Sequence, residues 1–99
     1  MGKVYVKTMT RGRDRLVAVC DEEILGATLE GGRVPFKVSE GFYKGVLGDV
    51  DEAIAAMRHA TICNLVGKAI VEAAIECNMV HERAVIYFGD IPHAQIVKF

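Results

Sequence analysis

The stretch from Thr61 to Met79, TICNLVGKAIVEAAIECNM, constrains this chain more than any other. It holds no proline, and Gly67 is its only helix breaker. Ala, Leu, Ile and Glu dominate it, so local propensity favours a helix. Asn64, Lys68, Glu72 and Glu76 recur every fourth residue. At about 100° per residue, this row and Thr61 fill an arc of roughly 120°. Ile62, Cys63, Val66, Ala69, Ile70, Ala73, Ala74 and Cys77 fill the other side, a wider apolar arc than the roughly 100° stripe of an ordinary surface helix. A helix with that pattern needs cover from more than one direction. The spacing therefore predicts a long central helix, with a sheet against it.

The flanks read mainly as strands. Lys3 to Thr8 alternates, with Val4 and Val6 on one face and Lys3, Tyr5 and Lys7 on the other. A turn at Thr10 to Asp14 leads to Arg15–Cys20, which is apolar on both faces and so needs covering twice. These two strands form a hairpin. Asp21 to Gly26 reads as a capped helical turn with a glycine stop, and Gly31-Gly32 as a flexible turn. Arg33 to Val38 alternates with Val34, Phe36 and Val38 inward, and Pro35 makes it an edge strand. Ser39 to Gly45 reads as another capped turn of helix. Asp49 and Glu52 form a capping box ahead of a helix whose face is Val50, Ala53, Ile54 and Met57. A single helix from Val50 to Met79 would be about 45 Å long, so a break is expected near Ala60, with Thr61 as cap. Ala84–Phe88 and Ala94–Phe99 read as strands around the turn Gly89 to Pro92. The expected fold is a single α+β domain over residues 1–99. Its two layers are a mostly antiparallel sheet, built from N- and C-terminal hairpins, and the long central helix.

Four segments together resemble a small archaeal family, domain of unknown function 424. They are LVAVCDEEILG at Leu16 to Gly26, VSEGFYKG at Val38 to Gly45, ATICNLVGKAI at Ala60 to Ile70, and GDIPHAQIVKF at Gly89 to Phe99. The resemblance implies an archaeal, cytosolic protein of two-layer α+β fold, and it tilts the expected partner toward RNA or a ribonucleoprotein. It supplies no catalytic residue to carry over.

Charge and composition narrow the function classes. Net charge is −1, so nothing global advertises a polyanion or a membrane surface. No run approaches the roughly 18 apolar residues of a membrane span, and MGKVYVKTMTRGRDR lacks a signal-peptide core. The chain reads as cytoplasmic. Cys20, Cys63 and Cys77 form no CxxC pair and read as reduced, buried small hydrophobes. Apolar residues make up 52% of the chain, a surplus that points to a homo-oligomer as readily as to a dense core.

Four candidate sites follow. Lys3, Lys7, Arg11, Arg13 and Arg15 form a basic hairpin opposed only by Asp14; its arginine tip suits phosphates, and Tyr5 suits an unpaired base. The same charges equally serve to keep an exposed edge from aggregating. His93 and Gln95, beyond a Gly/Pro corner, can face Asn64 and Lys68 and form an anion or acid–base cluster; alternatively His93 simply locks the turn. The row Asn64, Lys68, Glu72, Glu76 suits a solvated stripe. His59 and Cys63 have helical ligand spacing, which the break at Ala60 would spoil, so no metal or cofactor is expected. The leading expectation is a non-enzymatic module that contacts RNA or a ribonucleoprotein through the hairpin. The alternatives are a small enzyme or ligand binder using Asn64, Lys68, His93 and Gln95, and a dimerising structural partner protein.

Overall fold

The computed structural model describes residues 2–99. Six strands form one mixed sheet in the order β5-β1-β2-β6-β8-β7. They are β1 (Lys3–Arg11), β2 (Asp14–Asp21), β5 (Val46–Asp49), β6 (Ile62–Val66), β7 (Ile86–Phe88) and β8 (Ile91–Val97). A separate two-residue pair joins β3 (Thr28–Leu29) to β4 (Phe36–Lys37). The helices α1 (Glu40–Tyr43), α2 (Val50–Arg58) and α3 (Lys68–Glu76) are all short.

This overturns the expected architecture. No long central helix exists, and the middle of the sheet is a parallel pair, β2 with β6, flanked by antiparallel neighbours. The first third of the supposed helix is β6. Its side chains alternate between faces: Cys63 and Leu65 enter the core shared with α2 and α3, while Asn64 and Val66 turn to the opposite face. A run as short and apolar as Ile62–Val66 satisfies either period, and pairing with both β2 and β8 decides for the strand. The chain does break after Arg58, but Thr61 caps no helix. Its hydroxyl accepts from the Arg15 amide at 2.9 Å and donates to the Asp14 carboxylate at 3.1 Å, tying β6 to the first hairpin.

Gly67 makes the corner between β6 and α3. Its φ is +121°, and a Cβ there would come within 2.3 Å of the Asp21 carboxyl carbon. Asp21 ends β2 and is 2% exposed. Its two oxygens accept from the Ala69 amide (2.8 Å) and the Ile70 amide (3.2 Å), the otherwise unpaired donors of the first turn of α3. The carboxylate therefore caps α3 from a distant strand, instead of capping the short 3-10 turn Glu22–Ile24 that follows it in sequence. Burial pushes the Asp21 carboxyl up from its ordinary value, and the two amide bonds pull it part of the way back.

Three layers result. On one face of the sheet, Val4, Val17, Val19, Cys63, Leu65 and Ala94 pack against Ala53, Ile54 and Met57 of α2 and Ile70, Val71 and Ala74 of α3. On the other, Ala18, Cys20 and Val66 lie under a cover that includes Leu29, Val38 and Tyr43. The twofold cover that β2 demanded is thus supplied by helices on one side and by residues 22–45 on the other. The capping box forms as expected, with Glu52 N donating to Asp49 Oδ1 at 2.8 Å and Asp49 N donating to Glu52 Oε1 at 2.9 Å. The expected strand Arg33–Val38 contracts to Phe36–Lys37, and Val34, expected inward, is 68% exposed. Gly31-Gly32 is a close contact rather than a loose turn. A Cβ on Gly31 would come within 2.5 Å of the Gly89 amide nitrogen, and one on Gly32 would strike the Phe88 ring.

Candidate functional site

Strand alternation distributes the basic hairpin. Arg11 faces Asp14 across the β1–β2 register, Thr10 faces Arg15, and Gly12 turns the chain at φ +59°. Lys3, Tyr5, Lys7, Met9 and Arg11 fall on the face covered by residues 22–45; Arg15 falls on the helix face with Val17 and Val19. Lys3 and Arg11 stand at opposite ends of β1, about 27 Å apart at the rise of an antiparallel strand. Two members of the group are already engaged. Tyr5 is half-buried against the covering layer, and Lys7 Nζ donates to the Gly41 carbonyl at 2.6 Å. Arg11, Arg13 and Arg15 remain exposed at the tip, with Arg11 and Arg15 on opposite faces of the ribbon. Among the described residues the one ion pair within 4 Å is Lys68 with Asp90 at 3.4 Å; Asp14, opposite Arg11 in the register, is the one acid among these arginines and stays beyond that distance from them. The pairing of β5 with β1 ends at Val6, which leaves the distal half of the hairpin free along its β1 edge.

The second group is partly assembled. β8 lies beside β6, so Gln95 stands across from Asn64 and His93 across from Val66, all on the covered face. His93 Nε2 is 3.2 Å from Asn64 Oδ1. The hydroxyl of Tyr43 donates to the same oxygen. With Oδ1 accepting, Nε2 carries the imidazole hydrogen. His93 also meets Phe36 and Phe88 edge-on, at centroid distances of 5.2 and 6.2 Å, and those rings stack at 5.1 Å. Burial pushes the imidazole below its ordinary 6.5, so it is neutral at neutral pH. Burial likewise pushes the Tyr43 phenol up. Lys68 stands apart, at the start of α3, with its Nζ on Asp90. The arrangement thus offers an anion less charge than the residue types suggest. It ties residues 22–45 to the sheet. Tyr43, Phe36 and Phe88 were not singled out for this site in the sequence, because the contacts that gather them span up to 57 residues of chain and no local pattern marks them.

Elsewhere the surface is shallow. A groove of about 510 Å³ runs between the start of α2 and α3, lined by Gly2, Val50, Ala69 and Ala73 with Asp49, Asp51, Glu72 and Glu76. Smaller concavities border β5 and the end of α3. None of the three is lined by Asn64, Lys68, His93 or Gln95. Glu72 and Glu76 are exposed, while Asn64 belongs to a strand, so the fourth-residue row is no single stripe. Among the described residues no three His, Cys, Asp or Glu gather as a metal set. Cys20 is held as a thiol, its pKa pushed up to about 12 by burial and then by the charges of Asp21 and Glu23. Cys63 is raised by burial too; Cys77, expected inside, is exposed. Among the described residues no helix is long and apolar enough to cross a membrane.

The family described as "Protein of unknown function (DUF424)" matches residues 8–99. The chain belongs to this family. A solved structure described as an uncharacterized conserved protein from Methanopyrus kandleri is similar over 98% of this chain and 94% of that one, with TM-score 0.81 and 24% identity. That likeness shows that the three-layer fold is shared. No protein of curated function matches the sequence.

Proposed function

We propose that this chain is a non-enzymatic cytosolic binding module that holds the phosphates of RNA, free or within a ribonucleoprotein, on the tip of the β1–β2 hairpin. One observation carries the reading: Arg11, Arg13 and Arg15 stand exposed within five residues, with no carboxylate paired to any of them. Guanidinium groups hold phosphate oxygens through paired, charge-assisted hydrogen bonds. The net charge of −1 makes the attraction local to the tip, so binding should be modest and strongly salt-dependent. The small-ligand reading around His93 has no comparable support. Asn64 Oδ1 is occupied by Tyr43 and His93, and Lys68 is turned to Asp90.

The test is retention on heparin or immobilised RNA across a salt gradient. The wild-type chain should be retained at low salt and released as salt rises. Three phosphate contacts give a log–log slope of about −2 to −3. The triple variant R11A/R13A/R15A should flow through. Retention unchanged by those substitutions would remove the hairpin from the interface.

A further inference from the structure

The hairpin tip stands beside two further cations. The Thr61 amide donates to the Arg15 carbonyl at 2.9 Å, and the Lys98 amide donates to the Thr61 carbonyl at 2.8 Å. Arg15, Thr61 and Lys98 thus form a row across the ends of β2, β6 and β8, with Arg15 and Lys98 roughly 10 Å apart at the spacing of neighbouring strands. α2 ends at the same place. Lys98 Nζ donates to the Met57 carbonyl at 2.8 Å and to the Arg58 carbonyl at 3.4 Å. It thereby neutralises the negative end of α2, which would otherwise repel an anion. Arg58, the last residue of α2, is exposed. Asp14, the acid of the tip, is held by the Thr61 hydroxyl. Asp49, by contrast, lies beside Lys3 at the far end of β1. Next to Lys98 is a concavity of about 370 Å³, lined by Arg58, Cys77, Asn78, Met79, Ile96 and Lys98. Among the described residues no acid lines it. Ile96 stands across from Cys63, so the concavity lies on the helix face, as Arg15 does.

We infer that the RNA surface continues from the hairpin tip over the helix face into this concavity, which seats one unpaired nucleotide, its phosphate on Arg58 and its base against Met79 and Ile96. This rests on the phosphate reading of the tip and extends it. The charge is continuous, because Lys98 stands between Arg15 and Arg58. The chemistry of the seat matches a nucleotide part by part. A guanidinium takes phosphate oxygens. Met79 and Ile96 are half-buried apolar side chains, and a thioether makes favourable contact with an aromatic ring. Asn78 supplies both a donor and an acceptor for a base edge. It ends α3 at φ +59°, a conformation held by the Met79 amide on the Ala74 carbonyl at 2.9 Å. A base within a duplex has its faces and its pairing edge occupied, so the seat selects an unpaired strand.

The test uses the full chain and an unpaired oligouridylate, with R33A as control. Arg33 is exposed like Arg58 but lies toward the other end of the sheet, just after the Gly31–Gly89 contact. R58A should bind more weakly, with a log–log salt slope shallower by about 0.7, the value for one phosphate contact on a single strand. R33A should match the wild type. A second measurement needs no substitution. Cys77 is the exposed thiol and lines the seat, so saturating oligouridylate should slow its labelling by a thiol reagent several-fold. A duplex of equal length should leave that labelling unchanged. A salt slope unaltered in R58A, labelling of Cys77 as fast with the oligonucleotide bound, or equal protection by the duplex overturns the inference. Those outcomes leave the tip standing so long as R11A/R13A/R15A still flows through. A triple variant retained like the wild type removes the tip and, with it, the continuous surface.

Discussion

Asp21 and Gly67 are locked together: the carboxylate sits where any side chain at position 67 would have to go, and it caps the helix that starts at the next residue. Gly67→Ala should therefore cost about 3 kcal/mol or more, combining a backbone conformation reserved for glycine with overpacking against a buried charge. Asp21→Ala should cost about 1–3 kcal/mol, because it strands the Ala69 and Ile70 amides. Urea unfolding of both single variants and the double variant checks the coupling. The double variant should lose less than the sum, since removing the carboxylate vacates the space the new methyl needs. Strict additivity would mean that the two residues do not share that space.

This pairing also marks where the sequence stops being readable. The hairpin of β1 and β2, the capping box at Asp49 and the double cover of β2 follow from short-range rules of alternation, turn chemistry and capping, and each is in place. Ile62–Val66 does not follow, because five apolar-rich residues beside an alanine-rich helix fit the helical period as well as the strand period. Parallel pairing to a strand more than 40 residues earlier settles it, and no local window contains that partner. Gly67 is the one local sign, a breaker placed where the strand ends. The nearness of His93 to Asn64 survives the change of element, since β8 lies beside β6 just as it was expected to lie beside a helix. The distance of Lys3 from the arginine tip follows from the length of β1, whereas the engagement of Tyr5 and Lys7 depends on the path of residues 22–45, which propensity leaves open.

Tyr43 pins that covering segment. Tyr43→Phe removes the hydroxyl donated to Asn64 while leaving the buried ring in place. The expected loss is about 1 kcal/mol, typical for one hydrogen bond. Hydrogen exchange should accelerate for amides of residues 22–45 ahead of those in β2 and β6, because the cover opens before the sheet. Uniform acceleration would show that the cover has no separate opening.

The three cysteines should separate cleanly toward a thiol reagent. Cys20 and Cys63 are buried and held protonated, whereas Cys77 is exposed at the end of α3. One thiol should therefore react promptly in the native chain, the other two only on unfolding. Mass spectrometry of partly labelled protein should place the first label on Cys77. Prompt labelling of Cys20 would show that residues 22–45 do not seal that face.

His93 gives the fold a pH dependence of definite sign. Its pKa is lowered from 6.5 by burial among Phe36, Phe88 and the covered face, so the folded chain binds a proton there less readily than the unfolded chain. The stability this contributes is fully present above 6.5 and drains away as pH falls through the lower folded value. Asp21 works in the opposite sense, because its folded pKa is raised above 3.8: protonation favours the fold, and that contribution fades as pH rises through the folded value. The two are separated by comparing the wild type with His93→Gln, which keeps a donor for Asn64 but cannot take up a proton. Unfolding free energies measured between about pH 7.5 and about pH 5 should fall for the wild type and stay nearly level for the variant. The loss should appear first as faster exchange in residues 22–45, since a charged imidazole would have to leave the aromatic contacts that hold them. Parallel pH profiles in the two proteins would place the dependence elsewhere.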